Sequence, residues 1–197
     1  MQNDKRQELD LGEIVLASGS PRRSEILGSV GWKFSKQVPD VDESEREGEH
    51  PEDYVRRLAE TKSRAIAAAS PSAVVLGADT TVVVDGQIIG KPVNQDDARR
   101  MISLLSGRWH DVLTGVALSR GQMTLSGVQK TSVLFREMDA DEVEFLVQHG
   151  EPMDKAGAYA VQAQAALFIE RIEGDYWNVV GLPVSLVYGL YNELISR

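Results

Sequence analysis

The chain has 197 residues, enough for one large domain, with 42% apolar and 26% charged residues, so it can bury a core without staples. It holds no cysteine and three histidines (His50, His110 and His149), which excludes disulfides, thiolate chemistry and cysteine-bound metals and argues against a His-rich metal centre. A net charge of −9, with no long apolar run and no hydrophobic stretch behind the charges of Met1 to Gln7, argues against a duplex nucleic acid partner, a membrane span and a secretory signal. The expected compartment is therefore the cytoplasm. The charge is segregated, because residues 39–53 carry eight carboxylates and one arginine. Arg22, Arg23, Arg56, Arg57, Lys62, Arg64 and Lys91 fall elsewhere, so a locally basic pocket for a small anion is compatible with the acidic total.

Residues 1–12 read as a polar tail and 13–197 as one domain. A short apolar strand over residues 13–17 runs into Ser18-Gly19-Ser20-Pro21, and a helix follows to about residue 30. The acidic stretch after Val38 is a loop, ended by Pro51 in the first turn of a helix that reaches about residue 70. Residues 73–89 read as two strands or one bent strand, with Asp85-Gly86 as a hairpin turn. A helix is expected over residues 95–105, strands over 111–119 and 127–135, and a turn at residues 120–122. Then come a helix over 139–148, strands over 167–172 and 177–180, and a last helix from Pro183 to about residue 195. Helices alternate with strands while two hairpins demand antiparallel pairs. The expected fold class is α/β, a single domain with a mixed, twisted sheet flanked by helices.

Four segments carry chemistry. In Ser18-Gly19-Ser20-Pro21-Arg22-Arg23, Ser20 suits an N-cap and Pro21 a first helical residue, so free backbone N–H groups at a helix start can take a phosphate. Two arginines in that first turn oppose the helix dipole by about 0.3–1 kcal/mol each unless an anion lies between them. The plainer alternative is a capped helix whose arginines are solvated or paired with carboxylates. In Gly77-Ala78-Asp79-Thr80-Thr81, an aspartate interrupts an otherwise apolar run. Asp79 is either a cap at a bend between two strands or a general base or metal ligand, since a buried carboxylate needs a cation or donors.

Lys91, in Gly90-Lys91-Pro92, belongs to no Walker A loop and reads alone as a solvated turn lysine. Lys62, on an amphipathic helix, reads alone as a surface residue. Glu43 in the acidic loop is either solvated or an oxygen ligand for a hard cation. Asp154-Lys155 beside Gly157-Ala158 is either a surface ion pair or a close backbone approach to a ligand. Gln162 is either solvent-facing or a donor and acceptor for a base edge. His110 is read as structural.

Together the stretches LASGSPRR (16–23), GADTTVVVDGQIIGKP (77–92), SGRWHDVLTG (106–115), DKAGAYAVQ (154–162) and GDYWNVVGLP (174–183) resemble, in order, the Maf family of nucleoside triphosphate pyrophosphatases. The resemblance covers residues 13 to about 195. It implies a Maf/ITPase-like fold with a nucleotide-binding cleft, a divalent cation (Mg²⁺ or Mn²⁺), and hydrolysis of a nucleoside triphosphate to the monophosphate and pyrophosphate. It also implies Asp79 as the catalytic residue and, with Glu43, a metal ligand. Arg22, Thr80 and Gln162 take the selectivity positions, and Lys62 and Lys91 those of the family's lysines.

Ser18, Arg23, Asp154 and Lys155 complete the expected substrate-binding set. Gly-Ala-Tyr with a following glutamine is similar to the branch acting on dTTP and UTP; the branch preferring 7-methyl-GTP has other residues there. One departure is Ala163-Gln164-Ala165-Ala166, where the family usually has glycines. The expected partner is a small-molecule nucleoside triphosphate, with no stable nucleic acid and no membrane; a homodimer is left open. The competing readings are a pyrophosphatase for modified or purine nucleotides, and a nucleotide-binding regulator of septum formation without turnover.

Overall fold

A computed structural model describes residues 11–197; residues 1–10 of the expected polar tail lie outside the described residues. The strands are β1 (Glu13–Ala17), β2 (Lys33–Lys36), β3 (Val74–Val84), β4 (Gln87–Ile89), β5 (Trp109–Arg120), β6 (Met123–Phe135) and β7 (Ile169–Glu173). The helices are α1 (Pro21–Ser29), α2 (Pro51–Ala67), α3 (Gln95–Leu105), α4 (Ala140–His149), α5 (Tyr176–Val180) and α6 (Val184–Ile195). The sheet order is β2-β1-β3-β5-β6-β7, with β4 also paired to β3. β1 runs parallel to β2 and β3, and every other pair is antiparallel. The mixed-sheet α/β domain expected from the alternation is the one observed.

The two expected hairpins form. Asp85 and Gly86 both take positive φ (50° and 77°), as the tight β3–β4 turn requires, and Gly121 (φ 59°) turns β5 into β6. The larger core cluster joins Ile14, Leu16, Leu76 and Val82 of the sheet to Leu27, Ile102, Leu146 and Val187 of α1, α3, α4 and α6. Helix α2 covers the opposite face, where Val55 packs with Val83 and Leu113. Its approach is unusually close. A Cβ on Gly77 would lie 2.2 Å from the Ala59 carbonyl oxygen, and one on Gly115 2.2 Å from that of Val55, so these two glycines let the α2 backbone rest on the sheet. Among the described residues, no helix is long and apolar enough to cross a membrane.

Five expectations change, the first being that β6 begins at Met123, four residues before the expected start at 127. Residues 177–180 are helical, not a strand, because the Asp175 side chain accepts hydrogen bonds from the Trp177 and Asn178 amides and Gly181 (φ 124°) ends the turn. β3 is continuous through Asp79, not bent there. The four-residue β2 was not expected; a polar, mostly exposed Lys-Phe-Ser-Lys is held by parallel pairing to β1 alone. Gln164–Leu167 forms a 3₁₀ turn, so β7 begins at Ile169 and not at Leu167.

One feature of the sheet positions the site. On the edge of β3 away from β5, β1 pairs only as far as Gly77 and β4 only from Val82. Residues 78–81 therefore have no strand neighbour there, and the chain leaving β1 turns through Ser18-Gly19-Ser20 into α1 beside the gap. Open sheets bind ligands at such crevices beyond a strand's carboxyl end.

Candidate active site

A cleft of about 370 Å³ opens over this gap, and all eleven residues singled out in the sequence line it. On one side Lys62 of α2, buried to 7% exposure, places Nζ 2.6 Å from Asp79 Oδ1 and 2.7 Å from Glu43 Oε1. The sequence offered Lys62 as a surface residue; it is buried because α2 sits so close to the sheet that the side chain runs directly to β3. The two carboxylates it joins come from a strand and from the acidic loop, and their oxygens are no more than about 5.3 Å apart, the two bonds laid end to end. Burial pushes the Glu43 carboxyl up, but the hydrogen bond and charge of Lys62, helped by Lys91 and Arg23, outweigh it and hold the group below its ordinary value.

On the other side Arg23 is buried, not solvated. Its guanidinium donates from Nε to the Gly181 carbonyl (2.9 Å), from Nη1 to Ser18 Oγ (3.0 Å) and from Nη2 to Thr80 Oγ1 (3.0 Å). Burial lowers its pKa from the ordinary value, with Asp79 the first of the opposing influences. Thr80 Oγ1 also lies 2.9 Å from Thr114 Oγ1, Thr114 donates to the Asn178 carbonyl (3.2 Å), and Asn178 Nδ2 donates to the Val112 carbonyl (2.9 Å). Thus α5 is tied to the sheet behind the cleft wall. Thr114 and Asn178 were not singled out, although both lie in stretches that carried the resemblance; reading residues 177–180 as a strand hid the role of Asn178.

Arg22 pairs with Asp154, Nη1 to Oδ2 at 2.9 Å, and Asp154 Oδ1 takes Lys155 Nζ at 2.6 Å. Burial raises the Asp154 carboxyl, and these two partners more than reverse it. Of the plainer alternative, a capped helix with solvated or carboxylate-paired arginines, the structure shows the pairing of Arg22 alone. Lys91 is exposed on the rim and makes no ion pair among the described residues.

Ser20 occupies the N-cap of α1 without a side-chain cap bond, and its own amide donates to Ser18 Oγ (3.2 Å). Pro21 has no N–H, so the Arg22 and Arg23 amides are the first of the helix start, and the Ser20 side chain caps neither. Gly157 (φ 69°) fits against Val82, where a Cβ would meet Cγ2 at 2.9 Å, and its amide donates to the Gly90 carbonyl. This brings the 154–162 segment beside Lys91, with Tyr159 and Gln162 on the cleft wall. Behind Tyr159, His110 Nε2 lies 2.8 Å from its hydroxyl, and burial pushes the imidazole down to about 4, in keeping with a structural role.

The family model described as "Maf-like protein" matches residues 13–194, from β1 into the last helix. The chain belongs to the Maf family. This Maf chain is 50% identical over 172 residues to a "dTTP/UTP pyrophosphatase" of Symbiobacterium thermophilum, covering 87% of this chain and 89% of that protein. It is 49% identical over 174 residues to the protein of the same name in Hahella chejuensis (87% of each). A third, from Koribacter versatilis, is 44% identical over 183 residues (93% and 94%).

The solved structure of the Staphylococcus aureus Ham1 protein superposes with a TM-score of 0.51 at 17% identity, over 94% of this chain and 99% of that one, a likeness of fold. The alanines that replace the usual Maf glycines at 163–166 are compatible with the loop, since Ala163 is extended and no residue of this stretch has positive φ.

Proposed function

We infer that this protein hydrolyses nucleoside triphosphates, dTTP and UTP foremost, to the monophosphate and pyrophosphate. The observation that carries the reaction type is the convergence of Asp79, Lys62 and Glu43 at one end of a cleft whose other walls present Arg22, Arg23, Lys91 and an open helix start. The base preference draws on the names of the relatives and on Gln162.

Asp79 receives water's proton as the water attacks the α-phosphorus. Lys62 holds Oδ1 and orients the carboxylate, while Oδ2 accepts no hydrogen bond from the described residues. The phosphates lie along the α1 start and the Lys91 rim, where the amide donors and cations offset the charge leaving with pyrophosphate. Arg22, partly exposed and paired to an exposed carboxylate, is the cation most readily redirected to a phosphate. Arg23 stays where it is and braces Ser18 and Thr80.

Among the described residues no three or more His, Cys, Asp or Glu form a metal cage. Mg²⁺ and its like need only one or two carboxylates when phosphates and waters complete the shell, and Glu43 with Asp79 supplies two hard oxygens within reach of one ion. These residues fit a divalent cation and would hold it. When bound, it supplies neutralisation of phosphate charge and acidification of water.

Uracil and thymine present an adjacent carbonyl and N–H that the Gln162 amide can satisfy together. Cytosine presents the reverse order, an N–H beside a bare ring nitrogen. With the Gln162 amide held in one orientation by Thr80 or Arg22, it leaves one partner unpaired, at about 1–3 kcal/mol, or roughly 5- to 150-fold in efficiency. Pyrophosphate release from dTTP, UTP, CTP, purine triphosphates and 7-methyl-GTP with Mg²⁺ or Mn²⁺ tests both parts. Efficiency is expected to be highest for dTTP and UTP, with Gln162→Ala narrowing their lead over CTP. Equal rates for UTP and CTP, or a preference for the methylated guanine, would overturn the base assignment. No release from any of them would overturn the reaction.

A further inference from the structure

We propose that Tyr54, Arg57 and Glu49 form a latch that positions Glu43 over the cleft. The inference rests on the reading of Glu43 as a cation-holding group. Residues 37–50 connect β2 to α2 without strand or helix, and most of them are exposed. The Glu43 side chain is itself 51% exposed, yet its carboxylate stands 2.7 Å from a buried lysine. A side chain on such a loop loses conformational freedom in reaching that point, and something must hold the loop to make the loss small.

The holding groups come from α2. Tyr54 Oη donates to the Glu43 carbonyl (3.1 Å), and Arg57 Nη2 donates to the carbonyl of the next residue, Ser44 (3.0 Å). The same guanidinium grips Glu49 with two parallel bonds, Nε to Oε1 and Nη2 to Oε2, each 2.6 Å. Such a fork-to-fork pair fixes direction as well as distance. Glu49 Oε2 also accepts the Arg46 amide (3.2 Å), so the carboxylate secures the far half of the loop.

The Arg57 guanidinium lies 5.6 Å from the centre of the Tyr54 ring, which stacks the two anchors together. Its bond to Glu49 raises the Arg57 pKa and lowers that of Glu49, so both stay charged. The Glu43 backbone is thus pinned at its own carbonyl and at its neighbour's. None of the three latch residues lines the cleft; they are positioning residues.

The test compares the full-length protein with Arg57→Ala, Arg57→Lys and Tyr54→Phe. Three quantities are read: amide hydrogen exchange over residues 40–50 and over α2, Mn²⁺ binding from the EPR signal of the free ion, and kcat with dTTP at saturating Mn²⁺. Arg57→Ala is expected to speed exchange in 40–50 at least about tenfold with α2 unchanged. It should weaken Mn²⁺ binding at least about fivefold and leave kcat at saturating Mn²⁺ within about twofold, the scale of one or two hydrogen bonds. Arg57→Lys, which keeps the charge and loses the fork, should fall between.

Unchanged exchange in 40–50, or faster exchange with unchanged Mn²⁺ binding, overturns the latch. Should Arg57→Ala melt α2, Tyr54→Phe decides the matter by the same readings, because it removes one hydroxyl and no packing. The exchange and EPR readings stand even if no nucleotide is hydrolysed, so failure of the latch and failure of the proposed reaction are told apart.

Discussion

Asp79→Asn keeps the shape of the side chain and removes the charge that Lys62 meets at 2.6 Å. Glu43 still neutralises Lys62, so the fold is expected to survive while turnover falls more than tenfold, a loss above about 1.4 kcal/mol of transition-state stabilisation. Kinetics and a melting curve on the same sample check it; a tenth or more of the activity remaining would remove Asp79 from the reaction.

His110 yields a second expectation. Its imidazole titrates near 4 when folded against about 6.5 ordinarily, since burial outweighs the opposing backbone contact at Arg108 and the charge of Asp111. Between those values the unfolded chain carries the proton and the folded one does not. Stability is therefore complete above about pH 6.5 and falls toward pH 4, by up to about 3 kcal/mol from this group. Urea midpoints for wild type and His110→Gln should diverge in pH slope across that window, and parallel slopes would refute the assignment. His110 was readable as structural from its place at a strand start. The commitments of Lys62 and Arg23 were not, because burial of a charge depends on which distant carboxylate or carbonyl the fold brings to it.

At the level of elements, the seating of α2 on the sheet carries its own expectation. In Gly115→Ala the new Cβ would fall 2.2 Å from the Val55 oxygen and 2.4 Å from its carbon, both main-chain atoms that cannot swing aside. The helix must lift, at roughly 1–3 kcal/mol or more, and Lys62 is drawn away from Asp79. Gly77→Ala, against Ala59, should behave alike. Gly28→Ala and Gly189→Ala, on α1 and α6 with nothing within 4 Å of the new Cβ, should be neutral or gain up to about 1 kcal/mol.

Denaturation and activity on the four variants separate these outcomes; equal stability in all four would show that α2 is not held so closely. The long helices and both hairpins were readable because periodicity and turn residues agree. α5 was misread because Val179-Val180 look like strand residues, and only the Asp175 cap and the Gly181 stop decide otherwise. β2 escaped because its pairing partner, not its composition, makes it a strand.

Across the whole molecule, the mixed sheet followed from hairpins among alternating helices, whereas the gap beside residues 78–81 depends on where β1 stops and β4 starts along β3. Those registers are long-range facts that no local pattern contains. The cleft walls are likewise drawn from nearly the full length of the chain, and the bond from Arg23 to the Gly181 carbonyl joins residues 158 apart. Closing so long a loop is entropically late, and a domain made on the ribosome forms its N-terminal parts first. A growing chain that stops short of Gly181 has no carbonyl to receive Arg23 Nε or the Thr80 hydroxyl. Ligand recognition is therefore a property acquired in the closing steps of synthesis, after β1, β3 and β5 have all been made.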